Sequence, residues 1–342
     1  MSSKRFALAA VALTLVAGAC GKNSDSSKAA ADTSAAAAPV TVRLGYLPNL
    51  TQASVLVGVA KGTFAKDLGA DTLKTQTFNA GGDAVTALFS DAIDAAFVGP
   101  NPAINAWVKS KGTAIKIVAG ATSGGAALVV KPEITSADQL KGKTIATPQL
   151  GNTQDVAARY WLKSKGLATD TAGGGDVKIV PEDNGLTLQN FQANTIQGAW
   201  VPEPWVTRIV QEGGGHVLVD EASLWPGGKF VTTHLIVVQK FLEAHPATVK
   251  RLIQGLVDST TYVNAHPTEA QAAANTAIFN LTQKKLADGV VTAAWKHLTF
   301  TTDPISASLK TSAKHAQEVG LLDPVNLDGI YDLTLLHEVT GK

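Results

Sequence analysis

From Val40 onward the chain alternates short apolar runs with stretches of helical periodicity. VTVRLGYL (Val40 to Leu47) reads as a strand and is followed by a helix from about Thr51 to Lys61. TLKTQTF (Thr72 to Phe78) is a second strand, Asp83 to Ser90 a second helix, and AIDAAFVG (Ala92 to Gly99) a third strand. Strands alternating with helices imply α/β architecture, with parallel sheets covered by helices on both faces. Two apolar runs are continuous, AALVVK (Ala126 to Lys131) and THLIVV (Thr233 to Val238), and they read as crossovers between two lobes. Residues 40–128 and 235–342 then make a discontinuous first lobe and residues 129–234 a second. After Gln239 the pattern turns helical, notably from Ala247 to Asn264. His245-Pro246 and His266-Pro267 punctuate that region, because the residue before proline disfavours the helical conformation.

A weak internal echo links the two halves. LGYLPNLTQA (Leu44 to Ala53) is similar to TIATPQLGNTQD (Thr144 to Asp155), with Pro48 opposite Pro148. LFSDAIDAAFVG (Leu88 to Gly99) is similar to FQANTIQGAWVP (Phe191 to Pro202), with Ile93 opposite Ile196. In each half a strand ends in a proline-containing turn that opens a helix, as expected for two related lobes.

The first residues form an address. Lys4 and Arg5 precede an apolar stretch from Phe6 to Val16 and then small residues, the layout of a secretory signal over residues 1–19. Ala17-Gly18-Ala19-Cys20 resembles a bacterial lipobox, although leucine is usual where Ala17 stands. Cys20 is therefore the expected lipidation site, and the chain an exported lipoprotein on the outer face of the cytoplasmic membrane or in the periplasm. Residues 20–39, rich in Ser and Ala, lack large apolar side chains and read as a disordered tether. Of the 342 residues 45% are hydrophobic and 17% charged, enough for a sizeable core. The formal charge is +1, and loss of Lys4 and Arg5 would leave it near −1. No basic stripe points to nucleic acid. Cys20 is the one cysteine, which excludes an intrachain disulfide and any multi-cysteine zinc site.

In open α/β sheets, ligands sit beyond the carboxyl ends of the strands. That rule selects the segments Leu47 to Gln52, Asn79 to Asp83, Gly99 to Ala103, Thr122 to Gly125, Pro148 to Thr153, Pro181 to Gly185 and Val201 to Trp205. Most of them open a helix with small or polar residues. Helix N-termini present unpaired N–H groups and partial positive charge, so several aimed at one cleft bind an anion without arginine. Asn49, Thr51, Gln52, Asn101, Asn152 and Thr153 can add hydrogen bonds; the alternative for Thr51, Asn101 and Thr153 is simple helix capping. Trp200, Trp205 and Trp225 suit the apolar tail of an organic ligand or ordinary packing. Glu203 would repel a simple anion but suit a zwitterion, and is otherwise a hinge residue. No HExxH, GxSxG, Walker or GxGxxG pattern occurs, so neither an enzyme nor a bound cofactor or metal is expected.

LGYLPNLTQA, NAGGDAVTAL, AAFVGPNPA, GAALVV, DQLKGKTIATPQLGNTQD, GAWVPEPW and FLEAHP, in that order, resemble the aliphatic sulfonate/taurine/nitrate family of ABC-transporter periplasmic substrate-binding proteins. The resemblance runs from Val40 to the C-terminus. It implies a type II periplasmic-binding-protein fold, two α/β lobes joined by two crossover strands and closing on a small-molecule anion. It also implies a monomer that delivers this ligand to an ABC permease with its cytoplasmic ATPase. By the same resemblance the ligand-facing positions are Pro48, Asn49, Gln52, Gly81, Gly82, Gly99, Pro100, Asn101, Thr122, Ser123, Asn152, Thr153, Trp200 and Glu203. An aliphatic or aryl sulfonate is the first expectation, because the site loops carry almost no Lys or Arg. Nitrate, taurine and a thiamine pyrimidine precursor are the alternatives. The two competing classes are a pyrimidine-precursor synthase-like enzyme, which needs cysteine chemistry this chain lacks, and a sensor that reports occupancy without transport.

Overall fold

Two β-sheets carry the part of the chain that the computed structural model describes, residues 38–342. The signal segment, Cys20 and nearly all of the expected tether lie outside the described residues. The strands are β1 (Thr41–Tyr46), β2 (Thr72–Thr77), β3 (Ala95–Val98), β4 (Ile115–Gly124), β5 (Ala126–Val130), β6 (Thr144–Thr147), β7 (Lys178–Pro181), β8 (Gly198–Pro202), β9 (His216–Asp220), β10 (Val231–Val238) and β11 (Leu298–Phe300). The first sheet has the order β11-β4-β10-β3-β1-β2 and the second β7-β6-β8-β5-β9. In the first, β1 pairs in parallel with β2 and β3, and β10 runs antiparallel between β3 and β4. In the second, β6 pairs in parallel with β7 and β8, and β5 runs antiparallel between β8 and β9. Three parallel strands flanked by an antiparallel one recur in both. The sequence echo is thus visible as one plan used twice, with Pro48 following β1 and Pro148 following β6.

The helices are α1 (Ala53–Ala60), α2 (Thr63–Leu68), α3 (Gly81–Phe89), α4 (Pro100–Lys109), α5 (Thr153–Ser164), α6 (Asn184–Gln192), α7 (Trp205–Gly213), α8 (Gln239–Ala244), α9 (Pro246–Ala265), α10 (Pro267–Thr282), α11 (Asp288–Trp295), α12 (Ser306–Glu318) and α13 (Thr334–Thr340). Proline opens α9 and α10, where its missing N–H costs nothing because no helical acceptor precedes it.

Each sheet is buried on both faces. Val42, Leu44, Leu235 and Val237 pack under Leu252, Ile253 and Leu256 of α9, while Ala96, Val98 and Ile236 face Leu88 of α3 and Ile104 of α4. In the second sheet Leu128, Ile145 and Trp200 meet Trp161 and Leu162 of α5, and Ala199 and Val201 point the other way, toward Leu188, Phe191 and Ile209. Each such buried large side chain contributes about 1.5–3 kcal/mol. The polar strand β2 lies at a sheet edge and is mostly exposed, which blunts pairing with other chains.

The two continuous apolar runs do not cross between sheets. Ala126–Val130 is β5, wholly in the second sheet, and Thr233 to Val238 belongs to β10, wholly in the first. They are continuous because central strands covered on both faces have no polar side to show. The chain passes between sheets earlier than expected, at Gly124-Gly125 and over residues 221–230. Gly124 and Gly125 both have positive φ, 81° and 76°, and a Cβ on Gly125 would lie 2.2 Å from Leu298 Cδ2. Glycine alone fits that passage.

Candidate functional site

The loops at the carboxyl ends of β1, β2, β3, β6 and β7 converge between the sheets. They enclose a cavity of about 40 Å³. At about 10–15 Å³ for each water-sized group, this holds roughly three such groups. The first-sheet side supplies Leu47, Asn49, Thr51, Gln52, Asn79, Ala80, Gly81, Gly99, Pro102, Thr232 and Thr233; the second supplies Pro148, Asn152, Thr153, Gln154, Asn184 and Pro202. No charged side chain lines it.

The backbone supplies the electrostatics. Helix α3 begins at Gly81, α4 follows Gly99, α5 begins at Thr153 and α6 at Asn184, and the short 3-10 turn Leu50–Gln52 leads into α1. All these starts meet at the cavity, so partial positive charge and N–H donors point inward from both lobes. Asn184 adds a directed group. It is only 7% exposed, and its Oδ1 has no hydrogen-bond partner in the structure. An unpaired buried amide oxygen costs roughly 1–3 kcal/mol; a donor relieves it, whereas an anion is met by this amide only through its NH₂ once the group turns over.

Hydrogen bonds already join the lobes around the cavity. Trp205 Nε1 donates to Asn49 Oδ1 at 3.1 Å. Gln149 bridges α3, accepting from Gly82 N at 3.0 Å and donating to Asp83 Oδ1 at 3.1 Å. Asn105 Nδ2 donates to Gly151 O at 3.1 Å. The arrangement is closed, with lobes in contact on both sides of the cavity.

The structure brings only part of the expected residue set to the cavity. Asn49, Gln52, Gly81, Gly99, Asn152 and Thr153 line it. The Gln52 amide is committed to the loop itself, accepting from Leu47 N at 2.8 Å and donating to Phe97 O at 3.1 Å. Asn152 Oδ1 accepts from Asp155 N at 3.0 Å and so caps α5 while lining the cavity. Gly82 lies just outside, in a groove shared with Gln149, and Pro48 faces a larger outer chamber. Pro100 and Asn101 open α4 but are buried off the cavity lining.

Four expected residues are turned elsewhere. Thr122 is fully buried in β4. Ser123 Oγ accepts from Phe230 N at 3.3 Å, fastening the return passage. Trp200 points into the second-sheet core, where its Nε1 donates to Glu221 Oε2 at 2.7 Å. Glu203 turns back over α7 and accepts from Thr207 N at 3.1 Å and Thr207 Oγ1 at 2.9 Å. Burial pushes both the Glu203 and Glu221 carboxyls up to about 7. Asn79, Gln154, Asn184, Thr232 and Thr233 were absent from the expected set. Asn79 and Asn184 stand in selected loops, but nothing in their local sequence separates a lining asparagine from a capping one.

Support behind the site is a buried ion pair. Asp155 accepts from Gly151 N at 2.9 Å, Thr147 Oγ1 at 2.8 Å and Arg159 Nε at 3.0 Å. Both partners are almost wholly buried, so this pair fixes the β6–α5 loop against the helix.

Two α/β lobes with a cavity at the strand ends between them define the type II periplasmic-binding-protein fold. The periplasmic nitrate-binding protein NrtA from Synechocystis PCC 6803 superposes with a TM-score of 0.75 at 16% identity, covering 89% of each chain. The alkanesulfonate-binding protein SsuA from Xanthomonas axonopodis pv. citri, bound to MOPS, gives 0.69 at 17% identity, covering 84% of this chain and 96% of that one. The chain belongs to the NMT1-like family, whose model matches residues 35–278. A taurine-binding periplasmic protein from Escherichia coli (strain K12) is 29% identical over 231 residues, 67% of this chain and 68% of that protein. No helix among the described residues is long and apolar enough to cross a membrane.

Proposed function

We propose that this chain is the extracytoplasmic solute-binding component of an ABC importer and that it captures an organic sulfonate between its lobes. The observation that carries the reading is the uncharged cavity ringed by helix N-termini from both lobes. Neutral donors without a lysine or arginine suit a monoanion better than a multiply charged phosphate. The similarity to a taurine-binding protein supports a sulfonate head, since taurine is an aminosulfonate. Ligand touching both lobes favours the closed arrangement over an open one, and only that difference drives closure. Gly124-Gly125 and residues 221–230 act as the hinge. An ABC permease with its cytoplasmic ATPase then receives the ligand unchanged, and lipidated Cys20 holds the protein near the membrane. Nitrate or another bare oxyanion is the second reading, favoured by the small volume of the cavity.

The test is mass spectrometry of ligand released from purified protein, with thermal melts in methanesulfonate, taurine, nitrate and hydroxymethylpyrimidine. A ligand that binds only the native state raises its melting temperature by mass action. Sulfonates are expected to stabilise most. Stabilisation by the pyrimidine alone would overturn the reading.

A further inference from the structure

We propose that Gln149 is a positioning residue that caps helix α3 of the opposite lobe, so that the start of α3 is fully hydrogen-bonded only when the lobes close on a ligand. The inference rests on the capture reading above. It adds a residue that governs closure without lining the cavity.

Helix α3 brings no cap of its own. Its N-cap position is Ala80, which has the extended backbone of a cap (φ −142°, ψ 159°) but no side-chain oxygen, and Gly81 and Gly82 follow. Helix α5 shows the contrast, since Asn152 Oδ1 accepts from Asp155 N at 3.0 Å within its own lobe. The oxygen missing from α3 arrives from across the cleft. Gln149 Oε1 accepts from Gly82 N at 3.0 Å, and Gln149 Nε2 donates to Asp83 Oδ1 at 3.1 Å. This pair of bonds does in trans what a capping box does within one helix. The donors of the first turn are thereby divided. Gly81 lines the cavity, and among the described residues its N–H meets no acceptor, whereas the Gly82 N–H is taken by Gln149. Because the Gln149 amide is neutral, the positive end of the helix is left for the anion.

The capping side chain is presented by a stiff turn. Asn152 N donates to Gln149 O at 3.2 Å and Gly151 N to Asp155 Oδ2 at 2.9 Å, and Asp155 is itself tied to Arg159. Asn105 Nδ2 of α4 donates to Gly151 O at 3.1 Å, a second bond between this turn and the first lobe. Room for the amide depends on Gly82, where a Cβ would lie 2.5 Å from Gln149 Oε1. Glycine is a poor helix former, and that close approach is a physical reason for its place inside the first turn.

Amide exchange of protein labelled with 15N-glycine, together with calorimetry using methanesulfonate and nitrate, tests this in wild type, Gln149→Ala, Gly82→Ala and the double variant. At saturating ligand the Gly82 amide should exchange about two- to thirtyfold faster in Gln149→Ala than in wild type. Affinity should fall by a similar factor, equal for the two anions, because the cap acts on closure and not on the ligand. Gly82→Ala displaces the amide and should weaken both anions likewise, yet raise the melting temperature, since alanine favours the helix. The double variant should bind no worse than the weaker single one, because both changes remove the same bond. Unchanged Gly82 exchange in Gln149→Ala, a loss confined to one anion, or additive losses in the double variant would overturn the cap while leaving the oxyanion reading intact. If neither anion binds the wild type, the oxyanion reading fails and exchange in ligand-free protein decides the cap: faster Gly82 exchange in Gln149→Ala supports it, and equal exchange overturns it.

Discussion

Replacing Gly99 with alanine adds one methyl group where the two lobes meet. A Cβ there would lie 2.3 Å from Thr153 Oγ1, which belongs to the opposite lobe, and 3.5 Å from Thr153 Cβ. The backbone does not object, since Gly99 has φ −71° and ψ 168°, an extended conformation open to alanine. The penalty therefore falls on the closed arrangement alone. Overpacking of this kind costs about 1–3 kcal/mol, toward the low end if the Thr153 hydroxyl rotates away. Borne entirely by the closed state, that is a loss of roughly five- to 150-fold in affinity. The ligand-free melting temperature should not fall, because an open protein escapes the contact and alanine restricts the unfolded chain. Isothermal titration calorimetry measures the affinity, and small-angle scattering measures how far ligand still closes the lobes. Adding Thr153→Ala removes the offending oxygen and leaves the 3.5 Å contact, an ordinary one. The double variant should then lose less than the sum of the single changes. Unchanged affinity in Gly99→Ala, or strict additivity in the double variant, would refute the reasoning.

Three further outcomes are expected. Asn184→Asp puts a carboxylate on the cavity wall and should weaken oxyanion binding at least about tenfold at pH 7.5, with recovery at lower pH as the acid protonates; calorimetry at several pH values checks it. Glu203 has a folded-state value near 7 against an ordinary 4.5, so the native protein holds the extra proton between those values and loses stability as pH rises through them. The stability of Glu203→Gln relative to wild type should consequently improve by a few kcal/mol between pH 5 and pH 8, read from urea melts at each pH. Arg159→Leu strands the buried Asp155 carboxylate and should destabilise the fold by about 3–5 kcal/mol, again by urea denaturation.

Much of the site was legible at the level of loops. The strand-end rule picks out the turns after β1, β2, β3, β6 and β7, and the structure brings all five to one cavity. Individual side chains were less legible because their direction depends on parity and on partners distant in sequence. Trp200 and Val201 are neighbours in β8, yet they point into opposite cores, and no motif tells which side faces a helix and which the cleft. Glu203 was drawn away by Thr207 one helical turn later, a capping contact that competes with any ligand role. Gln149 bonds α3 in the other lobe, and Asn184 is notable only because nothing pairs with it; neither property exists before folding. The lobe passages were misplaced for a related reason. Doubly covered strands and connectors between lobes both read as unbroken apolar runs, and only pairing separates them.

The most direct measurement is anomalous diffraction from co-crystals with 3-bromopropanesulfonate. The expected map places the sulfonate in the cavity, within hydrogen-bond reach of the backbone N–H groups at the starts of helices from both lobes, with the bromine peak inside the cleft beside it. A sulfonate bound anywhere outside the cleft, with the cavity filled only by water, would contradict the account.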